Sequence, residues 1–115
     1  MVCLSLKRVL ETLAGLGLKP SDAYVYVFLA KKGPHTGKDL SKALNLPKHQ
    51  LYQCLRNLEN KGILSVSIEL PALFSAAPFE KALDLLIKIK IEEAERTKQD
   101  KDEALSAWKF MIKET

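Results

Sequence analysis

Apolar residues between Thr36 and Gly62 recur at helical spacing in two short runs. The first run follows the i, i+3, i+4 pattern and consists of Leu40, Ala43 and Leu44. In the second run, placing residues 48–60 at about 100° per residue puts four apolar side chains on one arc. They are Leu51, Cys54, Leu55 and Leu58. The pattern predicts two short amphipathic helices joined by a tight turn, which is a helix-turn-helix.

The residues at the ends of these two runs favour the same boundaries. Thr36 is suited to cap the first helix, with Asp39 three residues later in place of the usual Glu. Asn45 tolerates the left-handed conformation that ends a helix, and Pro47 fits the first turn of the next one. Gly62 is suited to the position just after the second helix. We therefore expect the break between the helices at residues 45–47.

Two further helices are predicted ahead of this motif. Mixed helical spacing of apolar residues predicts a short helix over residues 4–14, ended by Gly15 and Gly17. Ser21 is suited to cap a second helix, which stops at residues 31–34. Its apolar residues are Ala23, Tyr24, Val27, Phe28 and Leu29. We expect this helix to be the first of a three-helix core, with His35 in the loop that follows it.

The segment after Gly62 predicts a β-hairpin. Residues 63–68 alternate and are rich in β-branched side chains, 69–72 contain Pro71, and 73–77 can return antiparallel. A two-stranded hairpin directly after the second helix of such a motif is the wing of a winged helix. The expected fold is mostly α, with a winged helix-turn-helix, a two-stranded wing and a long C-terminal helix.

Neither proline nor glycine interrupts the chain from Phe79 to about Lys113, which predicts one long helix. Its apolar seam has alternating spacings of four and three residues, with Lys98 and Lys101 in the middle. The candidate dimerisation residues on the seam are Ile87, Ile91, Ala94, Leu105, Trp108 and Ile112. We expect a second copy to cover it; the alternative is that the helix folds back onto its own domain. The expected domains are 1–78 for the winged helix and 79–115 for dimerisation.

Charge is unevenly distributed along the 115 residues, which suit a single small domain. Residues 1–64 contain ten Lys and Arg against four Asp and Glu, a net +6, whereas residues 65–115 contain eight against ten, a net −2. The two values sum to the overall +4. A basic half favours a polyanionic partner. Cys3 and Cys54 lack metal-ligand spacing, so both are expected as free thiols, with redox sensing left open for Cys3.

The second helix of the motif exposes hydrogen-bond donors opposite its apolar arc. His49, Gln53 and Arg56 occupy that side, and no carboxylate appears before Glu59. Such side chains can read the acceptors and amino groups of purine edges in a major groove. The alternative is an ordinary solvated helix face. The candidate DNA-binding residues are Thr36, Lys38, Lys42, Lys48, His49, Gln50, Tyr52, Gln53, Arg56 and Asn57.

Three segments resemble the DNA-binding half of the TrmB-like family of archaeal winged-helix transcriptional regulators. They are LGLKPSDAYVYVFLAKKGPHTGKDL, LPKHQLYQCLRNLENKGIL and PALFSAAPFEKALDLLI, in the family's order and spacing within residues 10–90. The resemblance implies dimeric, sequence-specific binding to double-stranded DNA, with the helix from Lys48 to Asn60 in the major groove. The wing at 69–72 departs from the family because it offers no positive charge. The chain also ends at Thr115 without room for a sugar-binding domain, so no small-molecule effector is implied.

Other classes of function have less support. The sequence shows no paired carboxylates, activated nucleophile, glycine-rich phosphate loop or metal cluster, so we expect neither an enzyme nor a bound cofactor. It contains no stretch of the ~20 apolar residues that a membrane span needs and no signal peptide, so we expect a cytoplasmic location without membrane contact. The main alternative is a winged helix that binds a protein through its acidic and apolar wing.

Overall fold

A computed structural model describes residues 4–114 of the chain. Within this range the fold is mostly helical, with one small antiparallel sheet, as the sequence predicted. Cys3, for which a redox role was left open, lies outside the described residues. The elements are α1 (Leu4–Gly15), α2 (Pro20–Lys32), β1 (His35–Thr36), α3 (Gly37–Leu44), α4 (Lys48–Asn60), β2 (Leu64–Val66), β3 (Leu73–Ala76) and α5 (Phe79–Ile112).

The helix-turn-helix forms where the sequence predicted it. All four apolar residues on the predicted arc of α4 are buried, because that arc packs against the other helices. Asn45 ends α3 in the left-handed conformation, with φ 53° and ψ 45°. Pro47 directly precedes α4, and Gly62 follows it with φ 81°. The turn therefore spans residues 45–47, as predicted.

Three local predictions about the helices were wrong. Ser21 does not cap α2, because the helix begins one residue earlier at Pro20, whose fixed φ suits a first helical position. Ala43 is exposed, so α3 buries Leu40 and only part of Leu44. Tyr24 is also exposed, and Val25 and Tyr26 supply the buried face of α2 instead.

The sheet has three strands rather than two. The hairpin of β2 and β3 forms as predicted, with Leu64 opposite Ala76 and Val66 opposite Phe74. The prediction missed β1, which pairs with the other edge of β3 and takes His35 out of the expected loop. A strand of two residues is too short to show alternation in sequence. Its pairing ties the start of α3 to the wing.

The long helix α5 is continuous over 34 residues. Ala82 and Leu86, in its first turns, are buried in the core, so the core of the winged helix includes the beginning of α5. Every described residue from Ile91 onward is exposed. The molecule is elongated for this reason, with principal extents of 62, 34 and 24 Å. The division of roles between residues 1–78 and 79–115 stays a prediction.

Candidate nucleic-acid interface

Local hydrogen bonds set the position of α4 relative to α3. The backbone N–H of Asp39 donates to Oγ1 of Thr36 over 3.2 Å, which caps α3 as predicted. At the other end of α3, Oγ of Ser41 donates to the carbonyl oxygen of Leu46 over 2.6 Å. The turn is therefore held by a side chain as well as by its backbone. These bonds fix the angle at which α4 leaves the turn.

The outward face of α4 carries five of the ten candidate DNA-binding residues. Its carboxylate, on Glu59, lies in the last turn, so the first three turns present donors and amides without a competing negative charge. The side chains that the structure exposes there are Lys48, His49, Gln50, Gln53 and Arg56. This row is long enough to follow the floor of a major groove over several base pairs.

Asn57 is oriented differently from the rest of the row. It is half-buried, and its Nδ2 donates to Oδ2 of Asp22 on α2 over 3.2 Å. Asp22 is only 3% exposed, so Asn57 satisfies a buried carboxylate and holds α4 against α2. The buried thiol of Cys54 lies nearby, and burial raises its pKa above the ordinary 9.0. A contact between Asn57 and a base stays a prediction.

Tyr52 lies between α4, the start of α3 and the sheet. Its ring meets that of Phe74 edge-on, with the ring centroids 6.0 Å apart. Its hydroxyl group lies against the α-carbon of Gly37, where an added β-carbon would stand 2.8 Å from Cζ of Tyr52. Gly37 is buried, and because it has no side chain the ring of Tyr52 can approach its backbone this closely. Tyr52 is therefore partly a packing residue, which its place on the outer arc did not indicate.

A cleft of about 350 Å³ opens beside Tyr52, between α3 and the first turn of α4. Three lysines and Ser41 line it, and the lysine side chains are exposed at its rim. The cleft thus gathers three positive charges from two helices next to the outward face of α4. Sequence reasoning named the three lysines as candidate DNA-binding residues but missed Ser41 and the cleft itself. Its lining is Gly37, Lys38, Ser41, Lys42, Lys48 and Tyr52.

The winged-helix arrangement agrees with comparisons to known proteins. A family model described as "Sugar-specific transcriptional regulator TrmB" matches residues 13–80, more than half of the chain. The chain belongs to the TrmB family of transcriptional regulators. The resemblance inferred from the sequence is thereby confirmed, and this family is not one of enzymes.

Individual relatives place this TrmB-family chain among winged-helix proteins. The HTH-type sugar sensing transcriptional regulator TrmBL1 of Pyrococcus furiosus is 27% identical over 93 residues, which cover 81% of this chain and 27% of that protein. The structure of TrmBL2, described as an archaeal chromatin protein, superposes with a TM-score of 0.76 at 24% identity, covering 90% of this chain and 40% of TrmBL2. A possible transcriptional regulator from Methanosarcina mazei gives a TM-score of 0.62 at 20% identity, covering 81% and 85%. The chain thus spans less than half the length of TrmBL1 and TrmBL2.

The wing of this TrmB-family chain ends in an apolar and acidic tip. Ile68 and Leu70 are almost fully exposed, at 101% and 94%, on either side of Glu69. The described tip, residues 68–72, contains no lysine or arginine. Fully exposed large apolar side chains are costly in water and often mark a contact surface. The tip therefore differs in chemistry from the lysine-lined cleft.

The candidate dimerisation residues lie on α5, on the solvent side of the single chain. Trp108 is 56% exposed, and the other seam residues are exposed as well. The surface residues of the seam are Ile87, Ile91, Ala94, Leu105, Trp108 and Ile112.

No helix among residues 4–114 is both long and apolar enough to cross a membrane. The same residues contain no group of three or more His, Cys, Asp or Glu that could hold a metal ion.

Proposed function

We propose that this TrmB-family chain is a sequence-specific, DNA-binding transcriptional regulator that acts as a homodimer, with α4 in the major groove. The observation that carries the proposal is the position of the lysine-lined cleft directly beside the donor-rich face of α4. A duplex presents phosphates at the edges of the groove and base acceptors at its floor. The two surfaces of the protein match these two features in chemistry.

The lysines of the cleft are proposed to bind phosphates. Lys38 and Lys42 lie on α3 and Lys48 at the start of α4, so their ammonium groups approach the cleft from both helices. An ammonium group is a flexible point charge, which suits a phosphate better than a directional base contact. These contacts set the orientation of the protein on the duplex and contribute affinity for any sequence.

The middle of α4 is proposed to read bases. Arg56 can donate two parallel hydrogen bonds to N7 and O6 of guanine, and Gln53 can both donate to N7 and accept from the amino group of adenine. His49 and Gln50 lie one turn earlier on the exposed side. All four side chains are exposed, whereas Asn57 is half-buried and donates a hydrogen bond to Asp22. Tyr52 and Thr36 contribute mainly by shaping the surface around them.

Binding to labelled duplexes at increasing salt concentration tests DNA binding directly. Because log K falls by about 0.9 per phosphate neutralised, Lys38→Ala should weaken binding to all duplexes and reduce the slope by about two in a dimer, one per copy. Lys7→Ala removes the same charge from an exposed position on α1 and is the matched control. Equal effects of the two substitutions would contradict phosphate binding in the cleft.

Homodimerisation is proposed through the exposed seam of α5. A single winged helix reads few base pairs, whereas two linked copies engage two half-sites. Leu105→Ala combined with Trp108→Ala should shift sedimentation towards the monomer and weaken operator binding, because each large buried side chain contributes a few kcal/mol. Phe110→Ala is the matched control, because Phe110 is 70% exposed and lies about 200° around the helix from Trp108, away from the seam. A dimer that survives the double substitution would place the interface elsewhere.

The wing tip supports a second candidate function, a protein-binding module. The nearly complete exposure of Ile68 and Leu70 favours a protein partner over a phosphate backbone. Glu69→Gln with Leu70→Arg separates the two uses. If the tip approaches DNA, this change should raise affinity and steepen the salt dependence by about one phosphate per copy. If neither quantity changes, the tip lies away from the duplex and its use on a protein is favoured.

A further inference from the structure

The outer part of α5 carries a regularly spaced row of side chains that are exposed to solvent in the single chain. Beyond Ile91 every described residue is exposed, although the helix continues to Ile112, which is about 32 Å further at 1.5 Å per residue. In proteins most of the stability of a helix comes from packing of its amphipathic face rather than from helix propensity. Its stripe repeats with spacings of four and three residues, the repeat of a two-helix coiled coil. The stripe consists of Ile87, Ile91, Ala94, Lys98, Lys101, Leu105, Trp108 and Ile112.

The stripe has the same order of apolar and lysine positions in both directions along the helix. Three apolar positions come first, two lysines occupy the middle, and three apolar positions follow. The midpoint falls between Gln99 and Asp100. We infer that α5 pairs with the α5 of a second copy in the antiparallel direction, with the two-fold axis at this midpoint. The inference rests on the proposed homodimer and adds its orientation.

Antiparallel pairing sets each outer apolar segment on the inner apolar segment of the other copy. In this register Ile87 faces the partner's Ile112, and Ile91 faces the partner's Trp108. Ala94 faces the partner's Leu105, and Lys98 faces the partner's Lys101. In the heptad notation of coiled coils, residues 91, 98, 105 and 112 are a positions, and residues 87, 94, 101 and 108 are d positions. Each of the pairs therefore joins an a position to a d position, as two antiparallel helices require. The register therefore leaves no seam position without a counterpart.

The sizes of the side chains favour the antiparallel over the parallel direction. A parallel pair in register would place two indoles of Trp108 in one layer and two methyl groups of Ala94 in another. The first layer would be overpacked and the second would leave a void, and both faults are destabilising. The antiparallel pair instead combines Ala94 with the partner's Leu105, a small with a large side chain. Layers of more even volume result.

The apolar end of α5 gives a second, independent argument. Phe110 and Met111 are 70% and 56% exposed at the far end of the helix, away from the core. Parallel pairing would leave this end projecting into water from both copies. Antiparallel pairing brings these two residues level with Ile89 and Lys88 of the other copy, one or two positions before Lys90, whose Cε lies near Gly17 in the loop between α1 and α2. There the side chain of the partner's Met111 can pack against the folded body.

The two lysines at the centre of the stripe lower the stability of the helix pair, but they do not favour a parallel over an antiparallel arrangement. Lys98 has Glu95 three residues before it and Asp102 four residues after it, so carboxylates of its own helix lie on the same side. Long lysine side chains can place their ammonium groups in water while their stems pack. The centre is therefore tolerated as a weak point between two apolar halves.

Disulfide trapping between two cysteine variants tests the direction. Both are made with Cys3→Ser, while Cys54 is kept because it is buried at 2% exposure. One chain carries Ala94→Cys and the other carries Leu105→Cys. In the antiparallel pair a cysteine at 94 faces a cysteine at 105, whereas two cysteines at 94 are about 16 Å apart along the axis, beyond the reach of a disulfide. Cys3→Ser alone is the control.

The inference predicts that mild oxidation of the mixed variants gives a covalent dimer containing one chain of each kind, and that neither variant crosslinks alone. Efficient crosslinking of each variant with itself would show a parallel pair and overturn the inference, while leaving the homodimer intact. A monomer in sedimentation, with no crosslink in any mixture, would overturn the homodimer as well. The two failures are thus distinguishable.

A charge substitution gives a second measurement without cysteines. With Lys101→Glu, the introduced carboxylate faces the partner's Lys98 in the antiparallel pair but another carboxylate in the parallel pair. The dissociation constant of the dimer should fall about five-fold in the antiparallel case, the upper range for exposed ion pairs. Lys101→Glu combined with Lys98→Glu restores like charges and should remove the gain. An unchanged or higher dissociation constant for Lys101→Glu alone would contradict the antiparallel pair.

Discussion

The side-chain amide of Asn57 donates a hydrogen bond to the carboxylate of Asp22, with Nδ2 and Oδ2 3.2 Å apart. Asp22 is almost fully buried, so this bond satisfies a group that would be costly to leave without a partner. The bond joins α4 to α2. Asn57 therefore acts first on the position of the proposed recognition helix.

Asn57→Ala should lower the free energy of unfolding by about 1–3 kcal/mol, because the carboxylate of Asp22 loses its partner. Urea denaturation measures this change. Gln53→Ala, one turn earlier on the exposed side, is the matched control and should change the free energy of unfolding by less than about 0.5 kcal/mol. A stable Asn57→Ala protein with altered base preference would show instead that Asn57 reads DNA.

The contact between Gly37 and Tyr52 predicts that Gly37→Ala disturbs the cleft. A β-carbon at 37 would stand 2.8 Å from Cζ of Tyr52, so the ring must move away from Phe74. Overpacking of this kind costs about 1–3 kcal/mol in stability. We expect weaker binding to all duplexes as well, and partial recovery when Tyr52→Phe removes the hydroxyl group. Unchanged thermal unfolding of Gly37→Ala would show that the ring moves without cost.

Arg56→Ala and Gln53→Ala should reduce specificity more than affinity. Each good base contact contributes about 1–3 kcal/mol of discrimination against the wrong base. The ratio of affinities for the selected operator and a random duplex should therefore fall for these two substitutions. The same ratio should hardly change for Lys42→Ala, which removes a proposed phosphate contact. Equal losses on both duplexes for Arg56→Ala would show that it does not read bases.

Alkaline pH should destabilise the fold through two buried groups. Burial raises the pKa of Tyr26 above the ordinary 10.0, and burial is also the main cause that raises the pKa of Cys54 above 9.0. The folded state thus favours the neutral form of both groups. Their contribution to the free energy of unfolding is fully present below the pKa values of the unfolded chain, and it is lost as pH rises through the pKa values of the folded protein. Urea denaturation should show constant stability up to about pH 8.5 and a decline above it. Cys54→Ala should reduce the early part of that decline.

Helix ends and the apolar arc were predictable because each depends on a few neighbouring residues. Thr36, Asn45 and Gly62 act through their own conformation or a bond three residues away, so the sequence was sufficient to place α3 and α4. The same holds for α5, which no proline or glycine interrupts. These features require no knowledge of what lies across the fold.

The missed features depend on contacts between residues far apart in sequence. Strand β1 exists because His35 and Thr36 pair with Phe74 and Leu73 of β3, which lie 39 and 37 positions later in the chain. A strand of two residues shows no periodicity in the sequence. Asn57 lies near the edge of the exposed arc, and only the position of Asp22 on α2 turns it inward. Tyr52 is likewise held by Gly37 and Phe74. The cleft follows from these packing relations.

Selection of bound sequences from a random duplex library tests the central claim most directly, namely that a homodimer reads DNA with α4. The expected result is a strongly enriched motif with two-fold symmetry, whose half-sites each lose preference at one position when Arg56→Ala is used in the selection. A pool that is not enriched, or a motif unaffected by both Arg56→Ala and Gln53→Ala, would contradict the claim.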